Sequence, residues 1–274
     1  MKLKKLRWMI QGLGLILTNL GIILNFKIGI VYPYLYCYAC PLSYLGCPFG
    51  VLQNMAIMRV IPFLTLGLLG ALYTVLGRFF CGWICPIGLL TRTFETARRW
   101  IYKKSGKSQR TPKLPKKYSY TKYGILVGSL IIAFLLGDTY FCKYCIAGFV
   151  TAGIPYRLKL HQSLIAGLTL EHPFTLHIAI FVLIAIVSIA YNGKTWCRYI
   201  CPIGALAGTF NNVSMLKLSY DPSKCTNCLL CLNACPMSLD PRNLDSLHQT
   251  DCIRCGNCID ACPTKALYFA FTAS

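Results

Sequence analysis

Residues 225–236 read CTNCLLCLNACP, and residues 252–263 read CIRCGNCIDACP. Each run spaces four cysteines as C-x2-C-x2-C-x3-C and ends on a proline. Three thiolates at that spacing wrap one face of an iron–sulfur cube, and in two-cluster ferredoxins the fourth cysteine of each run ligates the other cluster. The pattern predicts two [4Fe–4S] clusters. One is expected on Cys225, Cys228, Cys231 and Cys262, the other on Cys252, Cys255, Cys258 and Cys235. Zinc, the competing metal, takes two C-x2-C knuckles with a longer gap between them. The apolar flanks LKLSY and ALYFAF are expected to pair as short strands, which makes residues 219–274 an α+β ferredoxin-like domain.

Upstream of this module the chain changes character. Of the 274 residues, 55% are hydrophobic and 13% charged, against about 25% charged in an average soluble domain. Most of residues 1–218 must therefore avoid water by another route, and a bilayer supplies it. Four stretches, about 8–30, 60–77, 122–140 and 173–192, have the length and apolarity of spanning helices. The first follows MKLKKLR and reads as an anchor rather than a cleaved leader, because its apolar run is long and no small-x-small site follows. Segment 146–172 has apolar pieces interrupted by Arg157, Lys159 and His161, and fits either a re-entrant segment or an interfacial one.

The formal charge of +20 does not point to nucleic acid, because of where it sits. Residues 92–122 carry eleven Lys/Arg against Glu95 alone, and Lys2, Lys4, Lys5 and Arg7 crowd the N-terminus. Both groups flank hydrophobic segments, as expected of cytoplasmic loops beside anionic lipid. The expected topology is multi-pass in the cytoplasmic membrane, with the N-terminus and the ferredoxin module both cytoplasmic. The module, slightly acidic, is a candidate to rest on the basic loop.

The membrane region repeats itself, with repeat one at about 8–94 and repeat two at about 122–210. GRFFCGWICPIGLLTRTF (77–94) and GKTWCRYICPIGALAGTF (193–210) agree at ten of eighteen positions. Each repeat has an outward helix, a C-x2-C, a returning helix and a C-x3-C-P-I-G. Same-orientation repeats imply a pseudo-twofold axis along the membrane normal. Across that axis Cys81, Cys85, Cys197 and Cys201 are expected to converge on the inner side. Cys37, Cys40, Cys142 and Cys145 are expected to do so on the outer side, up to about 30 Å away. Four thiolates are the usual complement of a cluster, so one or two further iron–sulfur centres are expected. The outer four also fit a dithiol that exchanges with partners, structural disulfides or zinc. Cys47 has no clear counterpart and stays unassigned.

Other side chains are read conservatively. Tyr32, Tyr34, Tyr36, Tyr38, Tyr140 and Tyr144 suit an interfacial aromatic belt. His172 and His177 read as interfacial and as the first places to look for a quinone contact. Asp138 reads as a solvated helix end rather than a proton-linked site. Trp83 and Tyr199, inside the C-x3-C motifs, either pack on a cluster or lie at the interface.

CGWICPIG, CRYICPIG and the tandem C-x2-C-x2-C-x3-C-P runs resemble the membrane-bound polyferredoxins of the NapH/NosR type, over residues 60–100 and 175–274. The resemblance implies electron transfer between quinol or cytoplasmic donors and respiratory partners, with Cys81, Cys85, Cys197 and Cys201 in the path. This chain differs by its outer cysteines and by lacking a large flavin-binding domain. The resulting expectation is an electron-transfer subunit working with other subunits of an oxidoreductase rather than a stand-alone enzyme, carrying electrons between the cytoplasmic clusters and a membrane quinone or an outer acceptor. The rival readings are a thiol–disulfide reductant exporter and an iron–sulfur membrane anchor or redox sensor.

Overall fold

Cysteine–proline pairs start three of the helices. In the computed structural model, which describes residues 3–23, 35, 47–105, 116–154, 173–191, 194–243 and 250–271, Cys47-Pro48, Cys85-Pro86 and Cys201-Pro202 each place cysteine at the cap and proline at the first helical position. Proline's fixed φ suits that position, where its missing N–H would have had no partner anyway. In chain order the main helices are α1 (Leu3–Ile23), α2 (Pro48–Ile57), α3 (Phe63–Leu76), α4 (Pro86–Lys104), α5 (Thr121–Leu136), α6 (Pro173–Ala190) and α7 (Pro202–Phe210). Leu216–Tyr220 (β1) and Leu267–Phe271 (β2) pair antiparallel, Leu216 opposite Phe271 and Tyr220 opposite Leu267. The two apolar flanks of the cysteine runs thus form the expected strands. The chain is mostly helical, with its ferredoxin module at the C-terminal end.

Helices occupy the expected spans as far as these are described; those of the second and third are shorter than their apolar runs, and residues 24–30 of the first lie outside the described residues. Arg59 takes a left-handed φ of 57° and Pro62 caps α3, so that helix starts at Phe63 rather than residue 60. Gly77 closes it at φ 54°. The left-handed φ favours glycine there, and a side chain would also displace Asn211 Oδ1 and Arg254 Nη1, 2.2 and 2.4 Å away. Fourteen residues of α3 extend about 21 Å, less than the about 30 Å of a hydrocarbon core. Among the described residues, only Tyr118–Leu136 is both long and apolar enough to cross. Of segment 146–172, Ile146–Gly148 is helical and Phe149–Gly153 continues it as a wider π-type turn; residues 155–172 lie outside the described residues.

Packing exchanges the two repeats. The helix after each C-x3-C-P motif rests on the returning apolar helix of the other repeat and on the outward helix of its own: α4 packs on α6 and α1, and α7 on α3 and α5. That crossed arrangement is what a pseudo-twofold relation requires. One buried cluster runs through the interface and contains Cys47, Phe49, Cys85, Cys145, Trp196, Cys197 and Cys201.

The ferredoxin module is tied to this interface by one carboxylate. Asp251, 3% exposed, accepts from Ser119 Oγ at 2.5 Å and from Lys122 Nζ. Arg78 and Arg198 approach it at 3.7 and 3.6 Å. Lys122 and Ser119 come from the end of the basic loop, so the described part of that loop does receive the module. Burial acts to raise the Asp251 pKa, but Lys122 and Arg78 more than offset it and hold it below the usual carboxylate range. Removing one side of a buried ion-pair network costs about 3–5 kcal/mol. Asp251→Asn is expected to lower the stability of module docking by about that amount, seen as a lower denaturant midpoint for loss of cluster absorbance; a midpoint equal to wild type would contradict the lock.

Candidate iron–sulfur sites

The two runs of the module fold alike. After the first cysteine of each run, the same offsets take left-handed backbone: Asn227 and Arg254 (φ 52° and 48°), Leu229 and Gly256 (59° and 76°), Ser238 and Lys265 (53° each). Five of these six are not glycine, and each costs about 1–2 kcal/mol in that conformation. Such turns direct backbone N–H groups inward. Asn227, Leu239 and Ala266 N–H donate to the sulfurs of Cys225, Cys235 and Cys262 at 3.4, 3.5 and 3.3 Å. N–H···S bonds of this kind tune iron–sulfur centres.

Eight cysteines of the module line two cavities, four in each. Cys225, Cys228, Cys231 and Cys262 ring one cavity with Tyr220 and Arg242. Cys235, Cys252, Cys255 and Cys258 ring a second, closed by Met237, Leu239 and Phe269. Among the described residues, no three His, Cys, Asp or Glu side chains gather tightly enough to hold a single metal ion. A cubane spreads its thiolates more widely than one ion does, so the chemistry of the donor sets fits clusters.

The C-x3-C-P cysteines form a third set. Cys85, Cys197 and Cys201 are 7–9% exposed. Burial, then the neighbouring sulfurs of Cys81 and Cys197, raises the Cys85 thiol; burial, then Cys197 and Cys81, does the same to Cys201. Thiols so placed reach the thiolate form when iron replaces the proton. Gly204 N–H donates to Cys201 Sγ at 3.3 Å, and Thr91 Oγ1 lies 3.8 Å from Cys197 Sγ.

Cys81 joins this set to the module. It packs against Met237, Ile253 and Cys255, in contact with the wall of the second cavity. Next to it, a side chain on Gly82 would meet Ile253 O at 2.3 Å and Cys255 Cβ at 3.5 Å, so only glycine allows the approach. Trp83 Nε1 donates to Arg254 O at 2.9 Å and Asn211 Nδ2 to Cys252 O at 2.8 Å. Trp83 is thereby placed against the module loop, stacked on Phe79. Tyr199 instead lies beneath the guanidinium of Arg198.

The outer cysteines depart from expectation. Cys37 and Cys40 lie outside the described residues. Cys145, however, shares the buried cluster of Cys85, Cys197 and Cys201, so it is not separated from them by the thickness of a bilayer. The reason is local: Ile146–Gly153 and α2 turn back into the core, α2 packing on α5. Cys47 occupies the same role. Cys47-Pro-Phe-Gly and Cys145-Ile-Ala-Gly both place cysteine at a helix cap in extended backbone, as do Cys85 and Cys201. Cys47 thus corresponds to Cys145, and the recurring C-x-x-G was the signal for it. Cys142 donates to Gln53 Oε1 at 2.8 Å.

The remaining polar residues keep ordinary roles. Asp138 caps Thr139 N–H at 2.7 Å and pairs with Lys143 at an exposed helix end. His177 stacks between Tyr144 and Phe149. Tyr140 and Tyr144 are exposed; the other belt tyrosines and His172 are outside the described residues.

Buried charge is unbalanced around these sites. Among the described residues, Arg7, Arg78, Arg92, Arg98, Lys122, Lys194, Arg198 and Arg254 are buried, against Glu95 and Asp251. Unpaired buried cations are costly. A four-thiolate cluster is a net anion, so the excess has the sign that several clusters would neutralise.

One-electron transfer through iron–sulfur centres is the chemistry that these linked cysteine sets suit. Comparison with known proteins agrees: residues 217–263 match the model of a 4Fe-4S dicluster domain, and residues 57–108 and 174–219 that of a 4Fe-4S binding domain. The chain is 31% identical to the uncharacterized protein MJ0749 of Methanocaldococcus jannaschii, over 72% of this chain and 67% of that one. It is 32% identical to the methylamine utilization ferredoxin-type protein MauN of Methylorubrum extorquens and 31% to the ferredoxin-type protein NapH of Haemophilus influenzae. Those matches cover 70% and 60% of this chain but 60% and 50% of the relatives' lengths. No solved structure matches. The chain belongs to the NapH-type polyferredoxins.

Anaerobically purified protein is expected to carry more than the about eight irons of two [4Fe–4S] clusters. Cys197→Ser or Cys81→Ser should lower the iron and acid-labile sulfide to about that figure, whereas unchanged counts would leave the third set without a cluster.

Proposed function

We propose that the chain is an integral membrane electron-transfer subunit that connects two cytoplasmic [4Fe–4S] clusters, through a centre on Cys81, Cys85, Cys197 and Cys201, to a membrane quinone. Residues 1–218 form the membrane domain and residues 219–274 the cytoplasmic module. α1, α3, α5 and α6 are the four spans, with the N-terminus cytoplasmic. Exposed apolar residues on three of these support the reading: Phe63 and Leu64 on α3, Ile131 and Leu135 on α5, Leu183 and Ile186 on α6. A belt of that size on a water-facing surface would aggregate; against lipid it is ordinary.

The observation that supports the quinone end is an apolar cavity with Trp196 in its wall. Between α5 and α6 lies a cavity of about 720 Å³ lined by Ile125, Ile132, Ile180, Ile184, Phe141 and Trp196. Trp196 is 3% exposed, and its Nε1–H has no acceptor. A quinone ring fits such a cavity, with one carbonyl accepting from Trp196, the neighbour of Cys197. Apolar walls with one or two placed polar groups are the usual form of a small-molecule site. A quinol gives up two electrons and two protons, and the one-electron centres take the electrons singly. Redox proteins of an oxidoreductase would meet the module at its exposed Cys228 end.

The exporter reading is less well supported, since Cys145 is 7% exposed and an exchanging thiol must be reached by its partner.

A quinol analogue is expected to reduce the clusters of the purified protein, or the matching quinone to re-oxidise them. Trp196→Phe should lower kcat/KM for that reaction up to about tenfold, the loss of one hydrogen bond of about 1.4 kcal/mol, with iron content unchanged. Failure of wild-type clusters to exchange electrons with any quinone analogue would overturn the quinone end.

A further inference from the structure

A second cavity has charged side chains in its wall. It measures about 280 Å³ and lies where α1, α4 and the ferredoxin module meet, lined by Arg7, Trp8, Arg92, Lys194 and Pro236 among others. Arg7 and Lys194 are 2% exposed and Arg92 7%. Arg92 lies over the Trp8 ring, 5.3 Å from its centroid. Burial, and then the charge of Arg7, lowers the Arg92 pKa to about 10: two guanidinium groups are pressed together out of water.

Their neighbours do not satisfy them. Arg7 Nη1 donates to Cys255 O and Asn257 Oδ1, and Arg92 Nη2 reaches Gly82 O at 3.4 Å. Arg7 Nε, Arg92 Nε and Arg92 Nη1 are buried with no acceptor. Glu95 borders the cavity but accepts from Arg98 at 3.1 and 3.3 Å and from Arg99 at 2.7 Å. Among the described residues, no carboxylate is in ion-pair contact with Arg7 or Arg92. The anionic charge of nearby clusters would ease the repulsion from a distance, but an N–H donor needs an acceptor in contact, and leaving one buried and unmatched costs about 1–3 kcal/mol. Arg7 and Arg92 line the cavity together with Lys194, which also donates to Gly88 O and Thr91 Oγ1 at 2.7 Å each; against Asp260 in the same lining the cationic groups are in excess, and a cavity so charged calls for an oxyanion with several acceptor atoms.

We propose that Arg7, Arg92 and Lys194 form a binding site for a phosphate group, which joins α1 and α4 to the module beside Cys235-Pro236. Arginine is suited to this task because its rigid planar donors match phosphate oxygens. The phosphate comes either from an anionic lipid headgroup or from free phosphate, and the site's chemistry is the same for both. This site is separate from the proposed electron path and stands or falls without it.

The test uses the holo-protein with its clusters, delipidated in neutral detergent. It is titrated calorimetrically with inorganic phosphate and with short-chain phosphatidylglycerol, phosphatidylcholine serving as the control. Saturable binding of one equivalent of either probe, weakened at least tenfold in Arg92→Gln at unchanged iron content, supports the proposal. Phosphatidylglycerol alone binding identifies a lipid headgroup; phosphate binding comparably identifies a free anion. Arg92→Lys, which keeps the charge but not the two unmatched donors, should bind more weakly than wild type and guards against a folding defect. Absence of one-to-one binding to wild type at millimolar probe, or equal binding by phosphatidylcholine, or unchanged affinity in Arg92→Gln, would overturn it.

Discussion

One buried carboxylate positions everything downstream of it. Asp251 immediately precedes Cys252, and its oxygens are held by Ser119, Lys122, Arg78 and Arg198, groups drawn from both halves of the helical region upstream. Removing a carboxylate and three cations from water costs several kcal/mol per ion, so such a network fixes geometry more than it adds net stability. Its folded pKa is depressed, so its contribution is complete above the ordinary carboxylate value of about 3.9 and is lost only as pH falls below that. At neutral pH the lock is closed. Arg198 extends it by donating to Met237 O at 2.6 Å, and Arg78 by donating to Cys197 O at 2.9 Å. The same cations thus hold the loop of the second module cavity and the backbone of the C-x3-C-P motif.

Docked in this way, the cysteine sets become neighbours rather than separate features. The two module cavities share strand-paired loops, Cys81 packs against the second of them, and Cys85, Cys197 and Cys201 continue into the helical core with Cys145 and Cys47. Electron tunnelling falls off exponentially with distance, so a chain of contacts matters more than any single site. Gly82 is where the contact is tightest. The lining of buried arginines and lysines gives that chain a positive surrounding, which favours anionic clusters and, in their reduced states, favours them further.

The cysteine runs were legible because cluster ligation is local: spacing decides which thiolates share a face, and Cys225, Cys228, Cys231 and Cys262 line one cavity. The β1–β2 pair was legible from its apolar flanks. Asp251 was not, because its partners lie more than fifty residues away and nothing in its own sequence marks it. The correspondence of Cys47 with Cys145 was hidden by a stronger short-range pattern. C-x2-C matched Cys37/Cys40 to Cys142/Cys145, while the shared C-x-x-G that sets a helix cap was the deeper likeness. Hydropathy placed the apolar helices but overran their ends, where Pro62 and Gly137 stop the backbone regardless of apolarity.

The claim on which the rest depends is that thiolates from both repeats hold one centre in contact with the second module cluster. Two paramagnetic centres that close interact magnetically. EPR of the fully reduced protein is therefore the direct test. Split or broadened signals that collapse to those of a two-cluster ferredoxin in Cys197→Ser are the predicted result. Signals from the wild type that are already those of an isolated two-cluster ferredoxin, at full iron content, would contradict it.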